Sequence, residues 1–222
     1  FTVNALLYDP QRRVLIDPFG GAADLHSRTL RHVSEQFSED PLRVLRGAQM
    51  AGRFGMTLHP ETAALCRRLR PHFHELAVER TREEWAKLYT KSTQPDLALR
   101  ALRDSGWDDT LPGLRAALAD PITHRAFSNV SRVAAEDRAT VGAAVLCSTM
   151  STRDREQFLD HTVTGAANCR IAADLAAAGH DELEEDPFRS QGEFQHVIAV
   201  MDDKMTHQNH EHRDDAQQFD AG

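Results

Sequence analysis

The sequence predicts a mostly α protein: a short β-hairpin at the start and, from Pro41 onward, helices alone. Three observations predict it. Apolar side chains alternate with others at Phe1, Val3, Ala5 and Leu7, the two-residue period of a strand. After Asp40-Pro41 the spacing becomes helical, with Leu42, Leu45, Met50 and Phe54 on one side. Proline near helix starts and glycine at helix ends then recur, at Pro41, Gly55, Pro60 and Gly106.

In order along the chain, Phe1 to Tyr8 reads as a strand, Asp9-Pro10-Gln11-Arg12-Arg13 as a turn and Val14-Leu15-Ile16 as the returning strand. Pro18 and Gly20-Gly21 end the hairpin, and Ala22 to Arg31 reads as a short helix or irregular crossover. Pro41 to Phe54 is a helix with Asp40 as its N-cap and Pro41 at its first position. Pro60 to Leu69, Glu79 to Lys91 and Asp96 to Ser105 are the next three, the last closed by Gly106. Trp107 and Leu111-Pro112 mark a turn into a second helical region, alanine-rich over residues 126–150 and 153–179.

Composition sets outer limits. With 41% hydrophobic and 27% charged residues in 222, the chain reads as soluble and globular, and no apolar run approaches a membrane span. Cys66, Cys147 and Cys169 are odd in number and far apart, which suits free thiols in a reducing cytoplasm. The net charge of −8 is unevenly spread. Residues 1–92 hold 14 Lys and Arg against 11 Asp and Glu, a balance of +3, whereas residues 181–222 hold 3 against 12. The acidity sits in the tail, and the first part is mildly basic, as a phosphate-handling region requires.

The chemistry concentrates in Ser38-Glu39-Asp40-Pro41-Leu42-Arg43-Val44-Leu45-Arg46. Arg43 and Arg46 lie three apart on one helix face, with Asp40 just below them. A carboxylate beside a guanidinium is a fixed acceptor–donor pair. Adenine and cytosine each offer an amino donor beside a ring-nitrogen acceptor and match it; guanine and uracil present the opposite polarity. Arg46, one turn on, suits a phosphate through a charge-assisted fork. The same residues also read as an N-capped amphipathic helix with two solvated arginines. Arg67, Arg68 and Arg70 form a basic cluster that either meets phosphate or simply offsets a helix dipole. His207, His210 and His212 cluster in a tail whose polarity predicts disorder from about residue 187.

The flanks decide between these readings. Phe1-Thr2-Val3-Asn4-Ala5-Leu6, Leu15-Ile16-Asp17-Pro18-Phe19-Gly20-Gly21, Asp24-Leu25 and Leu30-Arg31 precede the motif; Glu79-Arg80, Glu84 and Lys87-Leu88 follow it. Over residues 1–118 the chain resembles the bacterial (class II) tRNA nucleotidyltransferases and poly(A) polymerases, most of all a CCA-adding enzyme. The resemblance implies a remnant β-hairpin of a nucleotidyltransferase head (1–33), a base-selecting helical neck (34–92), a helical body (93–186) and an acidic tail (187–222). Asp40, Arg43 and Arg46 are then the nucleotide-binding residues, with Asn4, Glu39, Glu79, Arg80 and Glu84 in support, Glu79 or Glu84 bracing the arginines. Partners are tRNA, ATP and CTP, with no membrane.

The family's Mg2+-holding Asp-x-Asp pair is expected before Phe1, so the chain reads as a piece of a longer enzyme, inactive by itself. In many relatives a His-Asp phosphohydrolase pair falls near Val145-Leu146-Cys147-Ser148-Thr149-Met150, where none stands here, and Asp160-His161 reads as helix surface. Three readings stay open: CCA addition, poly(A) synthesis, and a headless non-catalytic RNA-binding protein.

Overall fold

Leu7–Asp9 (β1) and Val14–Ile16 (β2) pair antiparallel, Leu7 opposite Ile16 and Asp9 opposite Val14. The turn is held by Asp9, whose Oδ1 accepts the N–H groups of Gln11 and Arg12, and Arg13 takes a positive φ of 55°. The computed structural model describes residues 1–165, 168–174 and 176–177. The chain divides into two units, Phe1–Ala176 and Ala177–Gly222, and the helices and strands described all belong to the first. The histidine cluster and most of the acidic tail lie outside the described residues.

The expected strand over Phe1 to Tyr8 is corrected. Only Leu7–Asp9 is extended; Thr2–Asn4 forms a 3₁₀ turn. The reason is polar: Thr2 is buried and its Oγ1 donates to Asp24 Oδ2 at 2.8 Å, so the residue that alternation would turn outward faces in. Gly21–His26 (α1) follows, and Asp17 accepts the N–H groups of Gly21 and Ala22 at 2.7 and 3.0 Å. Those hydrogen bonds, that from Ala22 foremost, hold the Asp17 carboxyl below its ordinary range despite some desolvation.

Thr29–Leu30 (β3) pairs parallel with Thr57–Leu58 (β4), a second correction, since helices alone were expected beyond Pro41. Between them Arg43–Phe54 (α2) ends on Gly55, whose φ of 66° favours glycine. Pro60–Leu69 (α3), Val78–Lys91 (α4) and Pro95–Asp104 (α5) fall within a residue of expectation. α2 packs on α4 and α5 through a close approach at Gly52. A Cβ there would stand 2.6 Å from Ser92 Oγ and 2.8 Å from Ala98 Cβ.

Beyond Gly106 come Leu114–Ala119 (α6), Pro121–Asn129 (α7), Arg138–Cys147 (α8) and Thr152–Thr162 (α9). The continuous helical reading of 126–150 is thus broken between Asn129 and Arg138, where a short 3₁₀ turn intervenes. α8 is buried along nearly its whole length, and α9 closes on α4 through Arg82, which donates to the Asp160 carboxylate and carbonyl. Asp160 therefore works as a helix-to-helix tie. Trp85, Trp107, Phe127 and Phe158 are fully buried, and Trp107 Nε1 donates to the Cys66 carbonyl at 3.0 Å, joining α3 to the turn after α5. Among the described residues no helix is long and apolar enough to cross a membrane.

Candidate functional site

The candidate site is built where a 3₁₀ turn, Glu35–Glu39, runs into α2. Asp40 leaves the turn extended, and its Oδ1 accepts the Leu42 N–H at 3.2 Å. Backbone bonds from Arg43 to the Asp40 carbonyl and from Val44 to the Pro41 carbonyl then close the first turn. Asp40 thus caps a lead-in turn, and the regular helix starts at Arg43, two residues later than a cap at Asp40 implies.

The Asp40 carboxylate has a second partner. Arg80 of α4 donates Nη2–H to Asp40 Oδ2 at 2.8 Å, so the carboxylate is held from both sides and still keeps free lone pairs. Arg43 donates Nη1–H to the Gln36 carbonyl at 2.5 Å, which leaves its remaining N–H groups to meet a ligand. Arg46 is exposed, and its side chain makes no hydrogen bond or ion pair among the described residues. Asn4 approaches α2 with Nδ2 3.8 Å from Met50 Sδ.

Asp40, Arg43, Arg46 and Arg80 therefore converge, with Asn4 at the edge of α2. The expected acidic brace does not form. Glu84 is buried on α4 and bonds Lys87 at 2.8 Å, while Glu39 and Glu79 are exposed and unpaired among the described residues. The brace that does form is cationic, Arg80 on the carboxylate. The residue missed by the sequence reading is Gln36, which acts through its carbonyl and so has no side-chain signature. The basic cluster after α3 is partly neutralised: Arg70 forks onto Asp109, and Arg68 lies 3.5 Å from Glu35. Arg67 stays free among the described residues, its stem lying over Gly106.

Two family profiles match this chain. The poly(A) polymerase head domain matches residues 1–31, and the probable RNA and SrmB-binding site of polymerase A matches residues 55–118. The two matched stretches are thus a segment similar to a polymerase head and, after it, one similar to the RNA-binding site of such polymerases. Over these stretches the chain is similar to the tRNA nucleotidyltransferase and poly(A) polymerase family.

The Multifunctional CCA protein of Xylella fastidiosa (strain M23) is 40% identical over 127 residues, 54% of this chain and 30% of that protein. That of Psychromonas ingrahamii is 44% identical over 110 residues, 47% of this chain and 26% of the relative. Among solved structures, the Thermotoga maritima CCA-adding enzyme complexed with tRNA(CCA) superposes with a TM-score of 0.62 at 20% identity, over 83% of this chain and 48% of that one. A CCA-adding enzyme complexed with ATP gives 0.64 at 18% identity, over 93% and 58%. At such identities the likeness shows a shared fold. The matched stretch spans less than a third of these curated relatives.

Proposed function

We propose that this chain is the base-selecting and RNA-holding part of a nucleotidyltransferase that adds CCA to tRNA 3′ ends from CTP and ATP. One observation carries the reading: Asp40 is fixed by Leu42 N–H and Arg80 beside Arg43, at the start of one helix. Asp40 accepts from the amino group common to adenine and cytosine, and Arg43 donates to the adjacent ring nitrogen. The opposite polarity of guanine and uracil leaves both groups unmatched, which is where discrimination arises. Arg46, unpaired and exposed, takes a phosphate oxygen of the incoming nucleotide.

The family uses divalent metal ions for transfer, and we infer Mg2+ here. Among the described residues no group of three or more His, Cys, Asp or Glu is placed to hold a metal ion. Asp17 caps α1 and Asp24 is taken by Thr2 and Arg31, so these residues do not fit a metal and no step through one is assigned to them. The residues described serve selection and positioning, around residues 34–92, with the later helices as the RNA-holding body and the cytoplasm as the compartment.

The test is labelled-nucleotide incorporation by the full-length protein on tRNA lacking its 3′ end. Two CMP additions followed by one AMP support the reading. Long adenylate runs on unrelated RNA, with CTP ignored, replace it by poly(A) synthesis. RNA binding without any incorporation leaves the non-catalytic reading.

A further inference from the structure

The Gln36 carbonyl that holds Arg43 belongs to a turn with one buried side chain, Phe37. Phe1 meets the Phe37 ring edge-on at 5.4 Å, and His32 meets it at 6.1 Å. His32 is pinned in turn, since its backbone N–H donates to Thr62 Oγ1 of α3 at 3.0 Å and its Nδ1 lies 2.8 Å from the same oxygen. On the other side Phe1 lies over Gly47 of α2, where a Cβ would come within 2.9 Å of Phe1 Cζ. Thr62, His32, Phe37, Phe1 and Gly47 thus form one run of contacts from α3 through the turn to α2. A five-residue 3₁₀ turn has little stability of its own, so its place against α2 is set by this packing.

We propose that Phe37 is a positioning residue for base selection: locked between the Phe1 and His32 rings, it fixes the Gln36 carbonyl that aims the Arg43 guanidinium. The proposal rests on Arg43 reading the base. Phe37 touches no nucleotide in this scheme. Its removal lets the turn shift, frees Arg43 to swing, and blurs the choice between matched and mismatched bases while the transfer chemistry itself is untouched.

The experiment compares full-length wild type, Phe37→Ala, Phe37→Leu, Arg43→Ala and the double variant Phe37→Ala/Arg43→Ala for incorporation of each of the four nucleotides, with thermal melts alongside. Phe37→Ala is expected to lower the preference for CTP and ATP by about tenfold, through a raised KM with little change in kcat. The double variant should discriminate no worse than Arg43→Ala alone, because both act through one guanidinium. Phe37→Leu, which keeps a buried apolar side chain, should lie between and is read instead if Phe37→Ala does not fold. A folded Phe37 variant with wild-type preference, beside an Arg43→Ala that has lost it, overturns the proposal and leaves the base-reading role standing. Additive losses in the double variant also overturn it. Unchanged preference in Arg43→Ala overturns both.

Discussion

Arg80 grips Asp40 across forty residues of chain, with Nη2 2.8 Å from Oδ2, and so ties the first turn of α4 to the turn that opens α2. Arg80 is half exposed, and an ion pair of that kind contributes about 0–1 kcal/mol to stability. Arg80→Ala should therefore barely move the melting temperature. It should nonetheless weaken discrimination between nucleotides, because Asp40 loses the contact that orients it. A large loss of stability with unchanged discrimination would show that the pair serves the fold alone.

Asp40→Ala and Arg43→Ala in the full-length protein should each lose about 1–3 kcal/mol of discrimination, the usual worth of a bidentate base contact. Competition among the four labelled nucleotides measures it directly. Wild-type selectivity in both variants would reduce the two residues to a helix-capping and turn-holding role.

Gly52→Ala should destabilise the protein by about 1–3 kcal/mol, the range for overpacking a filled interface. The added methyl meets Ser92 Oγ and Ala98 Cβ inside van der Waals distance, and the Gly52 carbonyl also accepts from Thr93 and Gln94. Alanine's better helix propensity recovers part of this, about 1 kcal/mol. The urea midpoint should fall. A rise would mean that α2 and α5 separate more easily than their packing implies.

Acid should loosen the junction of α1 and β3. Burial alone would raise the Asp24 carboxyl, but the hydrogen bonds from Thr2 and Arg31, with the charges of Arg31 and His59, outweigh it and hold the group below its usual range. A carboxyl depressed in the folded state adds stability above its unfolded value, about 3.9, and that stability is lost as pH falls through the folded value. Stability measured from pH 6 downward should hold until about pH 4 and then drop. Asp24→Asn should start lower and show a shallower drop. An equally steep one would assign the acid sensitivity to other carboxyls, Asp17 among them.

The helices were legible because their signals are local. Pro60 and the Leu65–Leu69 spacing place α3, and Pro95 with Gly106 brackets α5. The first residues misled for a physical reason: alternation of Phe1, Val3, Ala5 and Leu7 is satisfied as well by a 3₁₀ turn whose buried member is Thr2, chosen by its bond to Asp24. The pairing of Thr29–Leu30 with Thr57–Leu58 involves two residues on each side, too few to print a period on the sequence. At the candidate site, Asp40, Arg43 and Arg46 were visible through their spacing. Arg80 was placed in support, but its pairing with Asp40 arises only through tertiary packing, and Gln36 offers a backbone atom with no side-chain signal.

Both tryptophans of the chain, Trp85 and Trp107, are sealed in the helical core, one against Tyr89 and Phe158, the other against Phe73 and bonded to the Cys66 carbonyl. The hairpin residues Leu7, Tyr8, Leu15 and Ile16 stand exposed and carry no indole. Tryptophan emission, excited at a wavelength that tyrosine does not absorb, is therefore a spectroscopic probe of the helices alone. A red shift of the emission marks water reaching α3, α4 and the turn after α5, whereas fraying of the N-terminal strands is optically silent and calls for an inserted fluorophore.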